Sequence, residues 1–426
     1  MTRGQTIFIG TIIFVVVGLL LVFLRILPGR KSSNPPPVTL TVWGMDDKEV
    51  WQEIIKSFEK TYPNIIVRYL HIDEENYEDT LINRLAENTG PDVFMLKNSW
   101  ILRHKDKIVP LPQSAFKFSV STFKKTFVDI ASEDLIDQDG TIYGIPLYID
   151  SLALFYNKDI FNAAGIAEPP QNWEDVLTLT KRLTKISSAG DISRSAIAMG
   201  TSKNLAHAFE ILSALILQNG DQIVRLNPNN SAVVMDAPSK DALSFYTSFA
   251  DRTKQNFTWS NLLPYSLDAF AEEKTAMVLG VFGDIPYLLK KNPHLNFGLS
   301  FFPQLKNAQT PLTFGEYSFL TVSKFSLNPQ DAWNFIMAVN TKIVAEQYGI
   351  YTRRPPARRD ILATDAPPSE TEVFWRQALI AKSWPIPNYS ATAKLFNEVM
   401  ESIASRSTSI PQGFNRIREQ LRLLVT

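Results

Sequence analysis

Hydrophobic and polar positions divide the chain into one unbroken apolar run, a short proline-rich stretch and a long succession of strand and helix patterns. Ile7 to Leu24 is uncharged and almost wholly apolar. Its length approaches the roughly 20 residues with which a helix crosses the ~30 Å core of a bilayer. Residues 28–37, PGRKSSNPPP, read as a stiff, extended linker. Val38 to Trp43 alternates and predicts a strand. Asp46 is then expected to cap a helix, with Glu49 at the capping-box position and Val50, Trp51, Ile54, Ile55 and Phe58 as its apolar stripe. Pro63 ends that helix, and Ile65 to Leu70 predicts a second strand. Tyr77, Leu81, Ile82 and Leu85 mark another helix, and Gly90-Pro91-Asp92 leads into a short buried-type strand, Val93 to Leu96. Strand, helix, strand, helix, strand is the doubly wound α/β pattern.

Residues 142–184 carry the densest punctuation. Gly144 and Pro146 interrupt an apolar run that continues through Leu147, Leu152, Leu154 and Phe155. Tyr156-Asn157-Lys158-Asp159 breaks it with polar residues. Gly165 and Pro169-Pro170 stop any helix begun at Asp159. Asn172 then predicts an N-cap, and Trp173, Val176, Leu177, Thr180 and Leu183 fall on one helical face. Further helical patterns cover 204–217 and 239–250. Asn328-Pro329 starts another helix, with Ala332, Trp333, Ile336 and Val339 at its spacing. The tail from 371 to 424 is helical, broken at Trp384-Pro385-Ile386-Pro387.

The ordered set Gly144-Ile145-Pro146, Asp150, Phe155-Tyr156-Asn157-Lys158-Asp159 and Pro169-Pro170-Gln171-Asn172-Trp173-Glu174 resembles extracellular solute-binding proteins of the maltose-binding-protein-like class. The resemblance extends to Trp43-Gly44, to Phe58 through Asn64, to Gly90-Pro91-Asp92-Val93, to Lys274 with Ala276-Met277, and to the basic loop of residues 349–360. Glu273 stands where that class usually has glycine, and Phe282 where it usually has tryptophan. The resemblance implies an α/β, two-lobed periplasmic-binding-protein fold with discontinuous lobes and a hinge, here preceded by one N-terminal transmembrane helix. Residues 1–37 would be anchor and linker. Residues 38–150 with 316–350 would form the first lobe, and 151–315 with 351–426 the second. The chain would cross between lobes near Asp150, near Gly315-Glu316 and near Tyr351-Arg354. Phe314 to Val322 would be the strand returning to the first lobe.

Composition narrows the chemistry. The 426 residues suffice for two lobes of ordinary size, and 43 basic residues balance 43 acidic ones, so nothing global points to nucleic acid. With no cysteine, the chain has no disulfide, no thiolate nucleophile and no lipid-bearing cysteine anchor. No small-x-small cleavage site precedes Pro28, so the apolar run is expected to stay attached as an anchor. Arg25, Arg30 and Lys31 behind it would, on a charge count alone, put the downstream side in the cytoplasm. The resemblance instead puts the binding domain outside the membrane. No zinc-protease pair, nucleophile elbow, phosphate loop or dinucleotide fingerprint occurs, and His71, His104, His207 and His294 are scattered. No enzymatic activity, cofactor or metal is expected.

Candidate ligand contacts follow from strand ends and from the resemblance. Trp43 ends a strand at the edge where open α/β sheets bind ligands, and its ring would pack on the C–H face of a sugar; otherwise it is core. Asp150 occupies the acidic position of the class, where a carboxylate would accept hydroxyl donors. Tyr148, Phe282, Tyr317, Tyr351 and Trp384 lie in segments that resemble cleft linings. Asp46 is either a ligand contact or a cap. Arg354, beside Arg353, either meets an anionic ligand group or belongs to a solvated basic loop. The resemblance implies a monomeric receptor that captures a small solute, a sugar or oligosaccharide, and delivers it to an ABC permease on the same membrane. The alternative is a tethered sensor or adhesion module that uses the fold without transport.

Overall fold

The computed structural model describes residues 14–18, 37–226, 231–364 and 371–425. Most of the apolar run at 7–24 lies outside the described residues. Among the described residues, no helix is long and apolar enough to cross a membrane.

In chain order the strands are β1 (Val38–Gly44), β2 (Ile65–His71), β3 (Val93–Lys97), β4 (Ile108–Val109), β5 (Ile145–Pro146), β6 (Asp150–Ser151), β7 (Ala153–Asn157), β8 (Lys185–Ile186), β9 (Ile192–Ile197), β10 (Val224–Arg225), β11 (Ala232–Val233), β12 (Thr275–Gly280), β13 (Phe297–Ser300), β14 (Thr313–Glu316), β15 (Ser318–Ser323) and β16 (Ala381–Lys382). The first large sheet has the order β2-β1-β3-β15-β4, with β5 also on β15. Strands β1, β2 and β3 are parallel, and β15 enters antiparallel to β3. Parallel neighbours need crossovers. The helices Lys48–Thr61 and Glu74–Ala86 supply them, burying Trp51, Ile54 and Phe58 from one and Tyr77, Leu81 and Leu85 from the other. Residues 93–96 and the whole of β15 are buried, as an apolar run covered on both faces requires.

The second sheet has the order β13-β7-β12-β9-β8. Its helix Trp173–Leu183 starts as the pattern predicts, with Asn172 Oδ1 accepting from Asp175 N at 2.9 Å. The cap expected at Asp46 is displaced by one residue: Asp47 precedes the helix without a side-chain capping bond. The Asp46 carboxylate is occupied by tertiary partners instead.

Two separate apolar cores result. One gathers Leu40, Trp51, Phe94, Leu320 and Trp333; the other gathers Leu154, Trp173, Leu212, Trp259 and Phe396. Between them lies a three-stranded sheet, β16-β14-β6. Gly315 pairs with Ser151, Glu316 with Asp150, and Phe314 with Lys382. Ile149 belongs to the first core and Leu152 to the second; Phe314 belongs to the second and Tyr317 to the first. The chain thus passes between the cores at β6 and at β14. Ala357, Leu362, Ala378 and Ala381, beyond Tyr351–Arg354, still pack in the first core. The chain settles in the second core at Trp384 and Ile386, although Phe374 already reaches it. All three crossings are therefore strands of one sheet. A Cβ on Gly315 would meet Ala381 Cβ at 2.7 Å and Ile130 Cδ1 at 2.8 Å, so only glycine lets β16 approach this closely.

Candidate ligand cleft

The carboxyl ends of β1 and β3 face the gap between the two cores. Beyond β3, Lys97 leads into the turn Asn98–Trp100 and the short helix Ile101–His104. Asn98 fixes this turn to the returning strand: its N–H donates to Tyr317 O at 2.9 Å, and its Oδ1 accepts from Tyr317 N at 3.2 Å. Across the gap, the segment after β16 leads to the helix Tyr389–Ala404, whose first turn faces the helix Glu74–Ala86. A cleft of about 840 Å³ opens between them, lined by Glu74, Lys97, Trp100 and Arg103 on one side and Asn388–Ala391 on the other.

The cleft carries paired charges. Lys97 Nζ is 3.4 Å from Glu316 and also pairs with Glu74. Burial works against its charge, but Glu316 and Glu74 hold its ammonium above the usual lysine range. Its Nζ lies 5.9 Å from the centre of the Trp100 ring. On the second lobe, His207 adopts a left-handed φ of 55° just before the helix Ala208–Gln218. Its Nε2 is 2.8 Å from Asp284 Oδ2. Burial opposes the imidazolium, yet the Asp284 carboxylate outweighs it and pushes the ring to about 9. Glu210, one turn along, accepts from Tyr389 Oη at 2.5 Å. Burial pushes its carboxyl up.

A second network stands behind the cleft. Asp46 accepts from Tyr348 Oη at 2.7 Å, Arg354 Nη1 at 3.2 Å and Trp51 Nε1 at 3.3 Å. Its carbonyl accepts from Tyr69 Oη at 2.7 Å, an approach that needs glycine at 44, where a Cβ would sit 2.4 Å from the same oxygen. The Arg354 guanidinium lies 4.4 Å above the Tyr148 ring, and Tyr148 Oη bonds Ser318 Oγ at 3.0 Å. Asp150 is recessed on the hinge sheet. It accepts from the backbone N–H of Ser151, Phe282 and Gly283 at 2.8, 2.9 and 3.3 Å, and burial pushes its carboxyl up to about 6.

The structure brings Asp46, Tyr148, Asp150 and Arg354 together but gives them to one another and to backbone donors. Trp43 is 6% exposed and packs in the first core, so it offers no stacking face. Tyr317 is fully buried in the same core. Phe282 sits edge-on to Phe374 at 5.7 Å in the second core. Trp384 is buried there too, its Nε1 donating to Ser213 Oγ at 3.1 Å. Tyr351 lies exposed in the last turn of the helix Lys342–Thr352, apart from the others. The sequence alone does not single out Glu74, Lys97, Trp100 and Tyr389, which line the cleft, nor Glu316, Glu210 and His207 beside them. A signal existed for Lys97 and Trp100, the one ending β3 and the other just beyond it, at the same sheet edge at which Trp43 lies near the end of β1. None existed for Tyr389, which reaches the cleft only through the tertiary fold. Among the described residues, no three His, Asp or Glu side chains converge as a metal site.

Comparison with known proteins agrees with this architecture. The sugar-binding protein MalE from Xanthomonas citri superposes with a TM-score of 0.74 at 22% identity, covering 91% of this chain and 97% of that one. The cyclic alpha-maltosyl-1,6-maltose binding protein from Arthrobacter globiformis gives 0.75 at 14% identity, covering 91% and 99%. At these identities the likeness is one of fold. In sequence, the multiple sugar-binding protein of Streptococcus mutans is 22% identical over 346 residues, 78% of this chain and 79% of that one. A putative binding protein of Brucella abortus is 26% identical over 159 residues, and that match spans 38% of the relative's length. The sequence model of the bacterial extracellular solute-binding protein family matches residues 44–345, well over half of the chain. The chain belongs to the bacterial extracellular solute-binding proteins.

Proposed function

We propose that this protein is a membrane-tethered receptor that captures a sugar or oligosaccharide outside the membrane and delivers it to an ABC permease. The observation that carries this reading is the hinge sheet. Three short strands join two independent cores beneath a cleft that both lobes line. Small dihedral changes in three adjacent strands turn one core against the other without unfolding either. Ligand contacts from both walls are complete only when the cleft is shut, so a ligand favours closure by its differential affinity for that form. The shut form is then what a permease distinguishes from the empty receptor.

Sugar as the solute is supported by relatives named for sugar binding, among them the Streptococcus mutans protein and a maltooligosaccharide transporter's solute-binding lipoprotein from Streptococcus pneumoniae. The tether is supported by the apolar run Ile7 to Leu24 and the absence of a lipid-bearing cysteine. We assign ligand contact to Glu74, Lys97, Trp100, His207, Glu210, Glu316 and Tyr389. Asp46, Tyr148 and Arg354 hold the cleft wall, and Asp150 ties the hinge to the 282–283 turn.

The test is a thermal-shift screen of the full chain in detergent against neutral and charged mono- and oligosaccharides, amino acids and polyamines. A ligand at a hundred times its dissociation constant should stabilise by about 2.7 kcal/mol. Small-angle scattering with a hit should give a smaller radius of gyration. Stabilisation by amino acids alone, or an unchanged radius at saturation, rejects the reading. Fractionation tests the tether separately: the protein should sediment with membranes, and a mature N-terminus after residue 28 would sink the anchor.

A further inference from the structure

Carboxylates outnumber cations in and behind the cleft: Arg103 pairs with Glu78, and the other cations are shared. Lys97 serves Glu74 and Glu316. Arg354 pairs with Asp46 and also feels the charge of Asp150. His207 is hydrogen-bonded to Asp284 and stands near Glu210. Among the described residues, Glu210 and Asp150 are the two of these carboxylates with no cation bonded to them, and Asp150 is instead held by three backbone N–H groups. Glu210 is 8% exposed, and among the described residues Tyr389 Oη is the only side-chain donor to its carboxylate. An ionised carboxylate has about four acceptor sites, so one tyrosine hydroxyl leaves it short of donors. Its burial already favours the neutral acid. Glu316 reaches the cleft through Lys97 at 3.4 Å and Glu210 through Tyr389 at 2.5 Å, and both Lys97 and Tyr389 line it. Closing the lobes would take this surplus of negative charge further from water, a cost that protonation or a matching positive charge offsets.

We propose that the solute is a carbohydrate carrying a protonated amine, and that Glu210 and Glu316 receive its ammonium. The proposal rests on the carbohydrate reading above. A neutral sugar offers hydroxyl donors to Glu210 but leaves the charge surplus in place. An ammonium offers three donors and a compensating charge at one point. Tyr389 then acts as the orienting donor that fixes the Glu210 carboxylate, His207 keeps Asp284 occupied, and Glu316, which shares Lys97 with Glu74, keeps acceptor sites for the amine.

The experiment titrates the full chain in detergent by calorimetry with matched trios. Each trio is an amino sugar, its N-acetyl counterpart and the parent neutral sugar, in the gluco and galacto series, from monomer to tetramer. Spermidine is added as an amine without a sugar. The expected result is at least one trio in which the free amine binds about tenfold or more tighter than both neutral members, as loss of a charged hydrogen bond implies. Glu210→Gln should shrink that preference while leaving the melting temperature near wild type, and Glu316→Gln should shrink it with a fall in melting temperature, because it removes a partner of Lys97. Equal or tighter binding of a neutral member overturns the proposal and leaves the carbohydrate reading standing. Binding of spermidine alone overturns both. An amine preference unchanged in both variants overturns the assignment to these carboxylates, and no binding by any probe rejects the proposal.

Discussion

The Asp46 carboxylate and the Arg354 guanidinium lie 3.2 Å apart although 308 positions separate them in the chain. Asp46 is almost fully buried, and Arg354 also covers the Tyr148 ring. The contact locks the loop after β1 to the segment that follows the helix Lys342–Thr352. This pair is therefore a strut of the first lobe's cleft wall rather than a free ligand grip.

Arg354→Met should destabilise the first lobe by about 2–4 kcal/mol, because it leaves a buried carboxylate short of its charged donor. Adding Asp46→Asn should recover part of the loss, since the two positions are coupled. Urea unfolding followed by tryptophan fluorescence checks this. Additive losses in the double variant would mean that the pair is not coupled.

Trp43→Ala should cost stability rather than affinity. The ring is in the first core, so its removal leaves a cavity worth about 3–5 kcal/mol. The melting temperature should fall, and any ligand that still binds should do so with near-native affinity. A variant that melts like wild type but loses binding would restore the ring to the cleft.

The reading of Trp43 shows where sequence reasoning stops. Its pattern places a strand correctly, from Val38 to Gly44, and its position at a carboxyl edge is right. Whether an edge aromatic faces ligand or core depends on what covers it, and here the cover comes from distant segments. The helix at Trp173 is legible because its cap and stripe are local signals. The hinge is only partly legible. The crossings at Asp150 and Glu316 sit in the densest stretch of resemblance and in the predicted return strand, whereas β16 is two residues long and carries no pattern of its own. His207 and Glu210 are isolated along the sequence, and their partners Asp284 and Tyr389 stand 77 and 179 residues away. No local rule joins such pairs.

Gly315→Val should loosen the hinge. Its side chain has no room between Ala381 and Ile130, so β16 must move away from β14. Overpacking of this kind costs about 1–3 kcal/mol. Because Ala381 belongs to the crossing sheet and Ile130 to the helix Asp129–Leu135 packed in the first core, the effect should appear in lobe orientation as well as in stability. Spin labels placed one on each lobe should report a broader distance distribution than in wild type.

The His207–Asp284 pair makes the second lobe sensitive to alkaline pH. A free histidine titrates near 6.5, and in the fold Asp284 leads Glu210 and Glu316 in overcoming the burial of the ring and raising it to about 9. The folded state thus holds this proton more tightly than the unfolded chain does. Its contribution to stability is fully present below about pH 6.5 and is lost as pH rises through about 9. The raised value corresponds to on the order of 2–3 kcal/mol. His207→Gln keeps a donor toward Asp284 but removes the titration. Calorimetric melting between pH 6 and pH 9.5 should therefore show wild type ahead of His207→Gln at the acid end, with the gap closing at the alkaline end. Other alkaline-titrating groups act on both proteins alike, so the difference isolates this proton. Parallel curves across the range would mean that His207 carries no excess proton in the folded protein.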